Sequence, residues 1–193
     1  MAKWHGFGRC KTRLSRDIGK INSSKVQSVM TKHTISVAKS IKKQGLIDIS
    51  LAISGVGFNK SRRWSNQLGI SNFNLQGRGC LGEKMKRQII INKKSFFNKK
   101  IKNIIFIGTD LPDLCHLDIV NTIKELKKND LILGPSNDGG YWLIAFSEKI
   151  LSSHLHLPFI NIKWSRENVL QNTIDNFSSI DIKYKFLNTK IDV

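Results

Sequence analysis

Two apolar runs, Ile101 to Ile107 and Leu131-Ile132-Leu133, each end on a glycine that opens a loop carrying an aspartate. Nearly continuous apolar runs of this length are the pattern of strands covered on both faces, and open α/β sheets bind ligands at the carboxyl ends of such strands. The loops are Gly108-Thr109-Asp110-Leu111-Pro112-Asp113-Leu114 and Gly134-Pro135-Ser136-Asn137-Asp138-Gly139-Gly140-Tyr141. Both Asp110 and Asp138 are therefore expected at strand tips. Two such carboxylates can share one divalent cation, because Mg²⁺ needs only one or two carboxylates beside phosphate oxygens and water. Asp113, directly before a helical run, suits a helix cap and leaves Asp110 to face a ligand. Asp138 has a plainer reading too, since an Asn-Asp-Gly-Gly turn forms without any function.

The rest of the pattern agrees with an α/β chain. From Ser23, with Ser23 or Ser24 as cap, Val26, Val29, Met30, His33, Val37 and Ile41 share one helical face that ends near Gly45. Ile47 to Ile53 reads as a strand, Gly69 to Gly82 as a loop, and Glu83 to Lys93 as a helix. A helix over Leu114 to Lys128 would turn Leu117, Val120, Ile123 and Leu126 inward. Tyr141 to Phe146 reads as a strand, Ser165 as the cap of a helix bearing Val169, Leu170, Ile174 and Phe177, and Ile182 to Leu187 as a last strand. Alternating strands and helices predict a three-layer αβα fold with a mostly parallel sheet, and 193 residues suit a single domain spanning 1–193.

With 32 Lys and Arg against 14 Asp and Glu, clustered positive residues would attract phosphates or nucleic acid. Most of that excess is dispersed lysine beside Ile and Asn and reads as solvated surface. Cys10, Cys80 and Cys115 are odd in number, far apart and lack C-x-x-C spacing, so they suggest neither a disulfide framework nor a zinc site, and a reducing cytoplasm is the simplest home. No apolar run reaches the ~18 residues of a membrane span. His33 on an apolar helix face reads as packed, and Trp64 beside Arg62-Arg63 falls short of a nucleic-acid module.

Near the amino end, Gly6-Phe7-Gly8-Arg9-Cys10-Lys11-Thr12-Arg13-Leu14 combines glycines with cations. Glycine lets backbone N–H groups approach an anion, and Lys and Arg add charge and forked donors, so the loop suits a nucleotide polyphosphate without having Walker A spacing. This loop, Gln76-Gly77-Arg78-Gly79-Cys80-Leu81-Gly82-Glu83-Lys84-Met85, the two aspartate loops and Trp164-Ser165 follow one another in the order of five motifs. In them the chain resembles the DUF2064 family of glycosyltransferase-A-like proteins, related to the guanylyltransferases of cofactor F420 and molybdenum-cofactor biosynthesis.

The resemblance implies a nucleotide-diphospho-sugar transferase fold and a transferase that uses Mg²⁺ or Mn²⁺. It implies that Gly8, Lys11 and Arg13, with Thr109 and Gly139, hold the nucleotide phosphates. Asp110 would bind the metal in the manner of a D-x-D aspartate, and Asp138 would complete the site. The substrates implied are a nucleotide or nucleotide-sugar and a small-molecule acceptor. Glycosyl transfer ranks first and nucleotidyl transfer onto a phosphorylated small molecule second, followed by an inactive member kept for binding, with a nucleic-acid binder last.

The chain departs from the pattern in four places. Cys80 stands where the family carries an aspartate, and its sulfur cannot offer Mg²⁺ a hard oxygen. His5-Gly6-Phe7 replaces a proline-containing segment, and Lys84 replaces an arginine and loses its fork. The apolar first strand expected to run into Met1-Ala2-Lys3 is missing, so the chain is expected to start too late, and it stops at Ile191-Asp192-Val193, where the family continues into a further D-x-D-T-like segment.

Overall fold

The computed structural model describes residues 1–95 and 103–191, so residues 101 and 102 of the first apolar run lie outside the described residues. In chain order the elements are β1 (Ala2–Lys3), α1 (Leu14–Lys43), β2 (Leu51–Ser54), α2 (Phe58–Gln67), β3 (Phe73–Leu75), α3 (Leu81–Ser95), β4 (Ile104–Ile107), α4 (His116–Glu125), β5 (Leu131–Pro135), β6 (Tyr141–Phe146), α5 (Glu148–Ser153), a 3₁₀ turn at Leu157–Phe159, α6 (Val169–Asp175) and β7 (Tyr184–Phe186). This is a three-layer α/β fold with one parallel and one mixed sheet. It divides into two compact units. Among the described residues, one comprises 1–77 and 108–116, and the other 78–95, 103–107 and 117–191.

The first unit holds a parallel sheet in the order β1-β2-β3. Ala2 pairs with Ile53 and Leu51 with Phe73. Strand β1 consists of Ala2 and Lys3 alone, two residues paired with the end of β2. Its core gathers Ala2, Ile35, Leu51, Ile53, Trp64, Leu68 and Ile70. Trp64 is buried there, with Trp4 edge-on at 5.1 Å, and so is not displayed to a base. Gln76, buried, donates its carboxamide N–H to the carbonyls of Ala2 (3.2 Å) and Ala52 (3.0 Å), tying the first two strands together.

Helix α1 begins nine residues before the expected Ser23, at Leu14, with a non-helical kink at Gly19. Neither Ser23 nor Ser24 is a cap. Its buried side is Ser23, Gln27, Met30, Thr31, Thr34, Ile35 and Ile41, whereas Val29 is 65% exposed. The apolar face read from the sequence is therefore rotated. Polar residues can occupy the buried face because their hydroxyls are satisfied within the helix: Thr31 donates to the Gln27 carbonyl (2.9 Å) and Thr34 to that of Met30 (3.1 Å).

The second unit holds a four-stranded sheet in the order β4-β6-β5-β7, with β6 antiparallel to both neighbours and β7 parallel to β5. The antiparallel pairing follows from the connection, since only Ser136 to Gly140 separates β5 from β6 and a parallel crossover needs about a dozen residues. Leu131, Ile132, Leu133, Leu143, Ile144 and Phe146 are all fully buried, as their continuous apolar runs require.

Three expectations are corrected in the helices. α4 starts at His116, two residues later than the expected Leu114, and Asp113 sits in the preceding turn. It buries Ile119 and Thr122 and leaves Leu117 exposed. Ser165 has φ 64, a left-handed conformation unlike a cap, and α6 opens at Val169 after Asn168. The Gly69–Gly82 loop contains the short strand β3.

Candidate functional site

In the first unit, the glycine-and-cation loop follows β1 directly and runs into α1. Gly8 (φ 67) and Lys11 (φ 44) both adopt left-handed backbone conformations. For a lysine that region is sparsely populated, and such strain persists where surrounding contacts enforce it. Lys11 Nζ lies 2.9 Å from Asp110 Oδ1, with the lysine side chain only 6% exposed and the aspartate 46%. Arg9 and Arg13 are exposed beside it in sequence, and Arg13 stands at the α1 N-terminus.

Helix α1 holds both loops of this unit. Gln27 Nε2 donates to Thr109 Oγ1 (3.3 Å), His33 Nε2 meets the Leu114 carbonyl (2.8 Å), and Ser24 donates to the His5 carbonyl. Thr109 is consequently buried, with its hydroxyl engaged in structure. His33 is packed as expected. Burial lowers the Met1 amine to about 6, with Asp110's charge acting in the opposite direction. Burial also raises the Cys10 thiol, keeping it protonated, and lowers His5 with help from Lys32.

In the second unit, Asp138 is exposed, and its Oδ1 accepts from Ser136 Oγ (2.5 Å) and from the Gly140 N–H (3.0 Å). These bonds build the turn, so the plainer reading of Asp138 describes at least one of its oxygens. Gly139 has φ 80, and a Cβ there would fall 1.8 Å from the Glu167 carbonyl oxygen. The Leu170 N–H donates to the Gly139 carbonyl (3.0 Å), fastening the turn to the start of α6. Trp142 is buried and gives its Nε1–H to the Asn188 carbonyl (3.2 Å), so it packs. Burial raises the Tyr141 phenol far above its ordinary value.

Cys80 is exposed immediately before α3, and its backbone N–H is taken by Glu83 Oε2 at 2.8 Å. That is the backward half of a capping box, three residues from cap to carboxylate. Glu83→Ala is expected to cost about 1 kcal/mol, read by denaturant unfolding. An unchanged midpoint would show that the cap contributes nothing. The sequence places Gln76 and Glu83 inside a motif without assigning either a role, although the S/T-x-x-E spacing rule, relaxed to accept Cys, points to Glu83.

Whether the donors suit a divalent cation follows from their chemistry. Asp110 and Asp138 supply hard carboxylate oxygens, as Mg²⁺ or Mn²⁺ requires, while Cys80 does not. Among the described residues no three His, Cys, Asp or Glu side chains gather into a site made of protein alone. A cation held at either aspartate would take phosphate oxygens and water for the rest of its shell.

No helix among the described residues is long and apolar enough to cross a membrane. The structure is similar to that of a candidate nucleotide-diphospho-sugar transferase from Desulfovibrio desulfuricans G20, at 23% identity and TM-score 0.80, over 100% of this chain and 79% of that one. It is also similar to a 4-diphosphocytidyl-2C-methyl-D-erythritol synthase from Anaerococcus prevotii DSM 20548, at 13% identity and TM-score 0.56, over 85% of this chain and 82% of the other. These likenesses establish the nucleotide-diphospho-sugar transferase fold. No curated protein matches the chain. The profile of DUF2064, described as an uncharacterized protein conserved in bacteria, matches residues 37–166. That span takes in four of the five motif segments, with the Gly8–Leu14 loop outside it. Matching well over half of the 193 residues, the chain belongs to the DUF2064 family.

Proposed function

We propose that this protein transfers a glycosyl group from a nucleotide-sugar to a small acceptor, with Lys11 and Arg13 seating the diphosphate and Asp110 holding a divalent cation against it. The observation that supports this most directly is the Lys11–Asp110 pair. A nearly buried ammonium lies against a half-exposed carboxylate, on a glycine-containing loop after a strand where the lysine backbone is left-handed. In that arrangement Lys11 is preorganised, so it loses little freedom on meeting a phosphate. Gly8 lets the backbone approach the same anion closely. Mg²⁺ or Mn²⁺ bound at Asp110 would supply charge neutralisation for the departing phosphate. For Asp138 the proposal rests on the motif, and its own substitution tests it.

Nucleotidyl transfer onto a phosphorylated small molecule is the second reading, favoured by the likeness in fold to the A. prevotii synthase. The decisive measurement has two parts. A panel of nucleotides and nucleotide-sugars, with and without Mg²⁺ or Mn²⁺, should raise the melting temperature for one ligand class in a metal-dependent way. Product analysis then separates the readings, since glycosyl transfer releases a nucleoside diphosphate and nucleotidyl transfer releases pyrophosphate. Tight metal-dependent binding with no product would favour a binding protein, in keeping with Cys80. No shift with any nucleotide would overturn the proposal.

A further inference from the structure

We propose that the solvent side of α1 docks on an anionic lipid surface. A helix of a soluble domain ordinarily turns charged and polar groups outward, opposite its buried stripe. Here Ile21, Lys25, Val29 and Lys32 recur at the spacing that stacks side chains on one helical face, and all four are exposed. Ile21 is 60% and Val29 65% exposed, while the buried stripe runs through Ser23, Gln27, Met30 and Thr34. The buried side of the helix is thus partly polar, and two aliphatic side chains stand among the cations of its solvent side. Phe7, ahead of it, is 65% exposed, with the Lys20 ammonium 6.0 Å from its ring.

Charge selects the occupant. Helix α1, Leu14–Lys43, contains seven Lys and Arg against a single acid, Asp17. A surface that alternates exposed aliphatic groups with cations matches the boundary of an anionic bilayer, where isoleucine and valine enter the headgroup region and lysine meets lipid phosphate or carboxylate. RNA would use the cations but has no use for the aliphatic groups, since single strands are held by aromatic stacking and phosphate contacts.

The test uses the whole chain in co-sedimentation with vesicles of phosphatidylcholine alone and of equal parts phosphatidylcholine and phosphatidylserine, beside a gel shift with polyuridylate. Binding to the anionic vesicles only, weakened by salt, is expected. The double variant Ile21→Asn/Val29→Asn should weaken it about tenfold while keeping the melting temperature, because both side chains are exposed. Lys25→Gln/Lys32→Gln, on the same face, should weaken it by a similar factor and serves if the first variant fails to fold. Absence of vesicle binding, or binding that neither variant alters, would overturn the proposal. Polyuridylate binding without vesicle binding would replace it with a nucleic-acid surface. The inference stands apart from the transferase reading, since neither variant touches the phosphate loop and the nucleotide-induced melting shift should survive in both.

Discussion

The Asp110→Asn variant is expected to lose metal-dependent nucleotide stabilisation and to cut turnover by about 10²- to 10³-fold. Asparagine keeps the shape and one oxygen but removes the charge that a divalent cation needs. Loss of folding should not obscure the result. The asparagine oxygen still accepts from the Lys11 ammonium, whose side chain is only 6% exposed, so the lost charge should cost about 1–3 kcal/mol, and Lys11 can still present its ammonium to a phosphate. Residual nucleotide binding without metal is therefore expected, at reduced affinity. Melting curves across a Mg²⁺ titration at fixed nucleotide check this. If the variant responds to Mg²⁺ as the natural protein does, the cation lies elsewhere and Asp110 serves only to hold Lys11.

The Gly139→Ala variant should be the most destabilising small change in the second unit, costing about 3 kcal/mol or more. Two penalties combine there. An alanine at φ 80 carries the strain of the left-handed region, roughly 1–2 kcal/mol. Its Cβ would also meet the Glu167 carbonyl oxygen at 1.8 Å, a backbone atom that cannot swing aside as a side chain would. Relief requires moving the turn away from the start of α6, which breaks the bond from the Leu170 N–H to the Gly139 carbonyl. For a chain of this size the melting temperature should fall by about 6–12 °C. A drop below about 2 °C would mean that the turn shifts freely and that the tight approach is not maintained in solution.

What the sequence disclosed and what it concealed follow from the same physics. Strands β5 and β6 were legible because both faces are covered, which leaves an unbroken apolar signature from Leu131 to Leu133 and Tyr141 to Phe146. The direction of β6 was less so, although the short Ser136–Gly140 connection already forbids a parallel crossover. Helix α1 was found but rotated, because its buried face contains Gln27 and Thr31, whose partners lie in Thr109 and in the helix itself. Hydrophobic periodicity cannot detect a stripe satisfied by hydrogen bonds. β3, three residues with no fully buried side chain, left no pattern to read. At the candidate site, motif spacing brought Lys11 and Asp110 to attention, but their direct pairing joins residues 99 positions apart and left no local pattern to read.

Residues 108–116 fold with the amino-terminal unit although the chain on either side of them belongs to the other. A fragment ending at Gly77 would therefore omit part of its own interior. It would strand the buried Gln27 amide without the Thr109 hydroxyl and the His33 ring without the Leu114 carbonyl. Dissection of this protein into halves has to respect that detour: an expressible amino-terminal piece would need the distant nonapeptide grafted back through a linker.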